Sequence, residues 1–114
     1  MNLNNNEIEK NPPEKEIKFI LGLFNSNKLE EAENEVNKQI IYYPNSSILY
    51  NILGAILASN NNLHEAISHY EKSIKINSNY GQAYNNLGTA FHKLNKMDEA
   101  ILNYEKAISL NKNF

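Results

Sequence analysis

The sequence predicts an all-α fold of three antiparallel helix pairs stacked side by side, and two observations carry that prediction. The first is a self-similarity with a period of 34 residues. Leu29-Glu30-Glu31-Ala32 recurs as Leu63-His64-Glu65-Ala66 and again as Met97-Asp98-Glu99-Ala100. The same shift carries Tyr50 onto Tyr84, Leu53 onto Leu87, Gly54 onto Gly88 and Tyr70 onto Tyr104. A fixed period of this length marks an array of one supersecondary unit that buries its apolar face only against its neighbours. The second is helical periodicity within each unit. Tyr84, Leu87, Gly88 and Phe91 recur at i, i+3, i+4, i+7, as do Ala100, Ile101, Tyr104, Ala107 and Ile108 along the next segment. No segment sustains the period-2 alternation of a strand.

Taken in order, residues 1–12 are polar and Asn-rich, with Leu3 and Ile8 as the apolar exceptions, and read as a disordered arm. Pro12-Pro13 suits the start of a helix, where a missing N–H is harmless. A divergent first repeat over 13–46 carries helices near 14–25 and 29–42. The second, over 47–80, carries helices near 47–59 and 63–76. The third, over 81–114, carries helices near 81–93 and 97–110. Asn27, Asn61 and Asn95 stand one period apart between the two helices of each pair. Asn tolerates the left-handed helix stop and can also cap the helix that follows. Pro44 closes the first repeat and Asn77-Ser78-Asn79 the second. Asn45-Ser46-Ser47 fits a glycosylation pattern but reads as the start of the third helix, because no secretory leader precedes it. Gly54 and Gly88 lie inside helices, where Gly costs about 1 kcal/mol relative to Ala. The expected compensation is close approach of the paired helix, with Ala66 and Ala100 as the small partners.

Composition narrows the function. The 114-residue chain has a formal net charge of only −2. All 11 basic residues are Lys, so the bidentate fork that reads phosphates and base edges is missing and nucleic-acid binding is not expected. The wealth of Asn, Lys, Ile and Tyr fits AT-rich coding and needs no functional account. There is no cysteine, no apolar leader and no apolar run of about 20 residues, the length that spans a bilayer. A cytoplasmic protein without a membrane role is expected.

Catalytic and metal-binding patterns fail on geometry. His64-Glu65-Ala66-Ile67-Ser68-His69 is one residue too long for a two-histidine zinc helix, and a spacing of five sets the imidazoles about 140° apart. Glu30, Glu31, Glu65, Asp98 and Glu99 sit in first turns, where carboxylates favour the positive end of the helix dipole. No phosphate loop and no nucleophile–base pair is present. The seven tyrosines read as helix-packing residues. No enzyme activity and no cofactor are expected.

Tyr84, Leu87, Gly88, Phe91, Ala100 and Tyr104, with Tyr50, Leu53, Gly54, Leu57, Ala66 and Tyr70 before them, resemble the tetratricopeptide repeat. The first repeat departs from the pattern, with Glu16, Phe19, Ile20 and Leu23 followed by Ala32, Val36 and Pro44. The resemblance implies a right-handed superhelix whose first helices line a concave, peptide-binding groove. Mapped onto this sequence, the groove residues are Ile17, Leu21 and Phe24 in the first repeat. They are Ile48, Asn51, Ile52 and Ala55 in the second, and Gln82, Asn85, Asn86, Thr89, His92 and Lys93 in the third. The string Ala83 to Phe91 is similar to repeats of O-linked N-acetylglucosamine transferases, where a ladder of Asn holds the peptide backbone. Only Asn86 occupies a ladder place here, with Ile52 and Lys18 in the others. The cationic clamp for an acidic C-terminus is not expected either, since Ile17, Leu21, Ile52, Gln82 and Asn86 hold its places.

The least ordinary feature is the apolar patch of Ile17, Leu21, Phe24, Ile48 and Ile52 on a face expected to line a groove. It reads as a binding surface, or as a surface covered by Leu3 and Ile8, or as a sign that the first helix is rotated. The function expected is a scaffold binding a protein or peptide segment. The alternative is the N-terminal arm of a larger glycosyl- or sulfotransferase. Ile101, Tyr104 and Ile108 leave the last helix apolar where terminal repeats need a polar face, so self-association through the C-terminal repeat is expected as well.

Overall fold

The computed structural model describes residues 10–111. They form six helices: α1 (Glu14–Asn25), α2 (Leu29–Tyr42), α3 (Ser47–Ser59), α4 (Leu63–Ile76), α5 (Gly81–Lys93) and α6 (Met97–Asn111). There is no strand among the described residues. The pairs α1–α2, α3–α4 and α5–α6 pack in chain order, each against the next, and α3 also reaches α5. The all-α repeat architecture is therefore the one the period predicts, with helix limits where the sequence places them.

The turns explain those limits. Asn27, Asn61 and Asn95 all have positive φ, at 61°, 65° and 62°. Around Asn61 the chain closes a double hydrogen-bonded stop: Asn62 N–H donates to Leu57 O at 2.8 Å and Asn61 N–H to Ala58 O at 3.0 Å. Lys28 and Asn27 repeat it onto Leu23 and Phe24, and Lys96 and Asn95 onto Phe91 and His92. The expected second role of these residues is absent, since no side chain caps the start of α2 or α4. Ser46 does cap α3, its Oγ accepting from Leu49 N–H at 3.3 Å. That hydroxyl also donates to Asn11 Oδ1, and Pro12 is buried. Asn11 and Pro12, read from the sequence as the end of the arm, are thus held against the repeats. Leu3 and Ile8 lie outside the described residues.

The two mid-helix glycines mark close approach, although the partner differs from the one expected. A Cβ on Gly54 would stand 2.6 Å from the Tyr70 ring and 3.1 Å from the Ala66 carbonyl, and one on Gly88 would stand 2.8 Å from the Tyr104 ring. The surface nearest the glycine is a tyrosine ring, joined in the second pair by the Ala66 carbonyl oxygen. The first repeat solves the same contact differently. Ile20 takes the glycine's place and Val36 the tyrosine's, and both are fully buried. Volume is exchanged across the joint, and the backbones of α1 and α2 approach less closely than those of the later pairs.

Tyrosines also tie each inner helix to the loop before it. Tyr50 OH donates to Pro44 O at 3.2 Å, and one period later Tyr84 OH donates to Ser78 O at 3.1 Å. Ser73 Oγ, fully buried, donates to Ser47 O at 2.8 Å and locks α4 to the start of α3. His64 is exposed, whereas His69 is half-buried and stacks on Tyr50 with ring centroids 6.1 Å apart. Burial pushes its pKa below the ordinary histidine value. The core runs through all three pairs, from Ile20 and Val36 through Leu49, Leu53 and Ile56 to Leu87 and Ala90.

Candidate binding groove

The inner helices α1, α3 and α5 enclose one side of the stack as a groove of about 500 Å³. Ile17, Leu21 and Phe24 line it from α1, and Ile48, Asn51, Ile52 and Ala55 from α3. Gln82 and Asn86 line it from α5, and Tyr80 from the turn before α5. These faces follow from residue spacing. Ile17, Leu21 and Phe24 recur at i, i+4, i+7, which puts them on one face of α1. Phe19 is 54% exposed and Ile20 fully buried, so α1 keeps the register set by the repeat and is not rotated.

The groove has a floor and a rim. Asn51 and Ile52 are each only 6% exposed, while Leu21 is 38% exposed at the edge. Ile52 belongs to the core as much as to the groove. A chain of amides crosses the floor. Gln82 Nε2 donates to Asn86 Oδ1 at 3.4 Å, Asn86 Nδ2 to Asn51 Oδ1 at 3.0 Å, and Asn51 Nδ2 to the Tyr80 hydroxyl at 3.2 Å. Burial raises the Tyr80 pKa and the Asn51 hydrogen bond partly offsets it, so the hydroxyl keeps its proton at neutral pH. That proton is used by no hydrogen bond among the described residues and remains a donor beside the apolar wall. None of the lining residues is charged. Lys18, at one of the ladder places, pairs instead with Glu14 at 3.7 Å on the exposed surface.

Four of the residues expected in the groove stand elsewhere. Thr89 turns toward its own partner helix, with Oγ1 3.0 Å from Tyr104 OH and donating to Asn85 O at 3.1 Å. Asn85 lines a separate hollow of about 270 Å³ at the C-terminal end, with Gln82, Ala107, Ile108 and Asn111. Its counterpart one repeat earlier, Asn51, is covered by α5, and no further helix among the described residues covers Asn85. His92 and Lys93 are exposed in the last turn of α5, beyond the groove wall. Tyr80 is the groove residue that sequence reasoning missed. It precedes the helix, so a helical wheel never samples it, and its only signal was an aromatic side chain directly before a repeat boundary.

No helix among the described residues is long and apolar enough to cross a membrane. No curated protein sequence matches the chain. Among solved structures, MamA is similar with a TM-score of 0.76 at 24% identity; the alignment covers 82% of this chain and 55% of that one, so the chain spans about half of MamA's length. The second TPR of Spaghetti (RPAP3), bound to the HSP90 peptide SRMEEVD, gives a TM-score of 0.80 at 21% identity, over 96% of this chain and 99% of that one. The Sgt2 TPR domain from Aspergillus fumigatus gives 0.82 at 18% identity, over 92% and 72%. At these identities the likeness is one of fold. At the level of sequence, the family profile described as Tetratricopeptide repeat matches residues 44–113. With three helix pairs in the same period and a profile match over more than half its length, the chain belongs to the tetratricopeptide repeat family.

Proposed function

We propose that the chain is a protein-interaction module that holds an apolar, uncharged partner segment in the groove between α1, α3 and α5. The observation that carries this reading is the lining itself: Ile17, Leu21, Phe24, Ile48 and Ile52 form an apolar wall, and no charged side chain faces the space. The amide chain ending at Tyr80 supplies polar atoms that fit the backbone N–H and C=O groups of a bound segment. The likeness to a TPR domain bound to the peptide SRMEEVD supports a peptide as the kind of partner. Its acidic character does not carry over, because this groove offers no cation to pair with it. A charged segment would lose its hydration there without compensation. The reading is of a binding surface and not of an enzyme.

Selection from a pool of short random peptides tests this. Peptides retained by the protein are expected to be apolar and free of acidic residues. Leu21→Asp, at the exposed rim, is expected to abolish retention while the fold survives. Enrichment of acidic C-terminal peptides, or unchanged retention by Leu21→Asp, would contradict it.

A further inference from the structure

Three positions on each inner helix record where a repeat meets the one before it. In the second repeat these are Leu49, Leu53 and Ile56, which are 0%, 5% and 0% exposed. In the third they are Ala83, Leu87 and Ala90, at 0%, 4% and 2%. In the first repeat the same positions hold Lys15, Phe19 and Gly22, and all are exposed. A Cβ added to Gly22 would meet nothing within 4 Å. The opposite end of the stack shows the other half of the joint. Ile67 and Ile74 of α4 pack into the core beside α5. Their counterparts on α6, Ile101 and Ile108, are 52% and 57% exposed.

We propose that a second copy of this chain docks head to tail, with Phe19 and Gly22 of its α1 seated on the Ile101–Ile108 stripe of α6. The chain makes this joint twice within itself, α3 on α2 and α5 on α4, and among the described residues both halves of it recur exposed, one on α1 and one on α6. The motion that carries one repeat onto the next therefore also carries α1 of one copy onto α6 of another. Gly22, in the place of Ile56 and Ala90, leaves room for the larger Phe19 in the place of Leu53 and Leu87. Lys15, in the place of Leu49 and Ala83, sets a charged head at the edge of the joint and keeps the contact weak and reversible. The joint lies at the ends of the stack and does not depend on the groove.

Sedimentation of the full chain across a range of concentrations, with two variants, tests the proposal. The unmutated chain is expected to grow in mass with concentration beyond a dimer, since a heterologous contact does not close. Phe19→Asp and the double variant Ile101→Lys/Ile108→Lys, each changing residues at least half exposed, should stay folded by circular dichroism and monomeric. An equal mixture of the two should form a dimer, because one supplies an intact α6 stripe and the other an intact α1 face. Lys15→Leu should tighten association of the unmutated chain about tenfold or more by adding an apolar side chain to the joint. A monomeric unmutated chain at the highest concentration would overturn the proposal. So would a mixture that stays monomeric, or Phe19→Asp associating as the unmutated chain does, which would instead signal a two-fold contact between α6 helices.

Discussion

Gly54 and Tyr70 are in contact so close that a methyl group on the glycine would stand 2.6 Å from the ring edge. Tyr70 is 3% exposed and packed in the core. Gly54→Ala should therefore destabilise the protein by about 1–3 kcal/mol through overpacking, against the gain of about 1 kcal/mol that Ala brings to a helix interior. The first repeat shows the remedy, since Ile20 and Val36 fill the same contact with the volumes reversed. Gly54→Ile with Tyr70→Val should recover stability that Gly54→Ile alone loses. Urea unfolding of the three variants checks this. A Gly54→Ala protein more stable than the parent would mean that the ring yields and the joint is loose.

Asn61 sits at φ 65° in a stop closed by two backbone hydrogen bonds. Asn61→Ala should cost about 1–2 kcal/mol, the strain of a left-handed residue with an ordinary Cβ. Asn61→Gly should stay within about 0.5 kcal/mol of the parent. Thermal melts of the two variants separate backbone strain from loss of the side chain; equal losses would show that the amide itself matters.

Asn51 is the hub of the groove floor, donating to Tyr80 and accepting from Asn86. Asn51→Ala should cost about 1–3 kcal/mol, because it strands two polar groups in a largely covered site. It should also weaken any ligand held through the amide chain. Chemical denaturation gives the first effect. Stability equal to the parent's would show that water replaces the asparagine without loss.

Burial pushes the Tyr70 hydroxyl pKa up to about 12 from its ordinary 10.0. The folded state thus favours the protonated phenol more than the unfolded state does. This contribution to stability is fully present below the unfolded value and is lost as pH rises toward 12. The melting temperature of the parent should fall more steeply over that alkaline range than that of Tyr70→Phe. Parallel pH profiles would show that the hydroxyl reaches solvent in the folded protein.

Much of this was legible in the sequence, and for identifiable reasons. The period and the three asparagines fixed the helix limits, because a left-handed stop is a local event that one residue type announces. The groove face of α1 was legible because Ile17, Leu21 and Phe24 keep helical spacing. What escaped was set by contacts between elements. Periodicity does not say which way a tyrosine ring lies, so Ala66 and Ala100 were expected where Tyr70 and Tyr104 stand. Nor does it say how deep a face lies. Ile52 lines the groove as read, yet at 6% exposure it belongs to the core as well, and a charge there would threaten the fold. Leu21 is the sounder site for testing binding. Thr89 was misplaced because its hydroxyl finds Tyr104, a pairing 15 residues away that no wheel displays.

Mapping amide chemical-shift changes as a selected apolar peptide is added tests most directly whether a partner segment lies along the uncharged groove between α1, α3 and α5. Changes are expected to centre on Ile17, Leu21, Asn51, Asn86 and Tyr80 and to be lost in Leu21→Asp. Changes confined to the outer helices α2, α4 and α6, or persisting undiminished in Leu21→Asp, would contradict it.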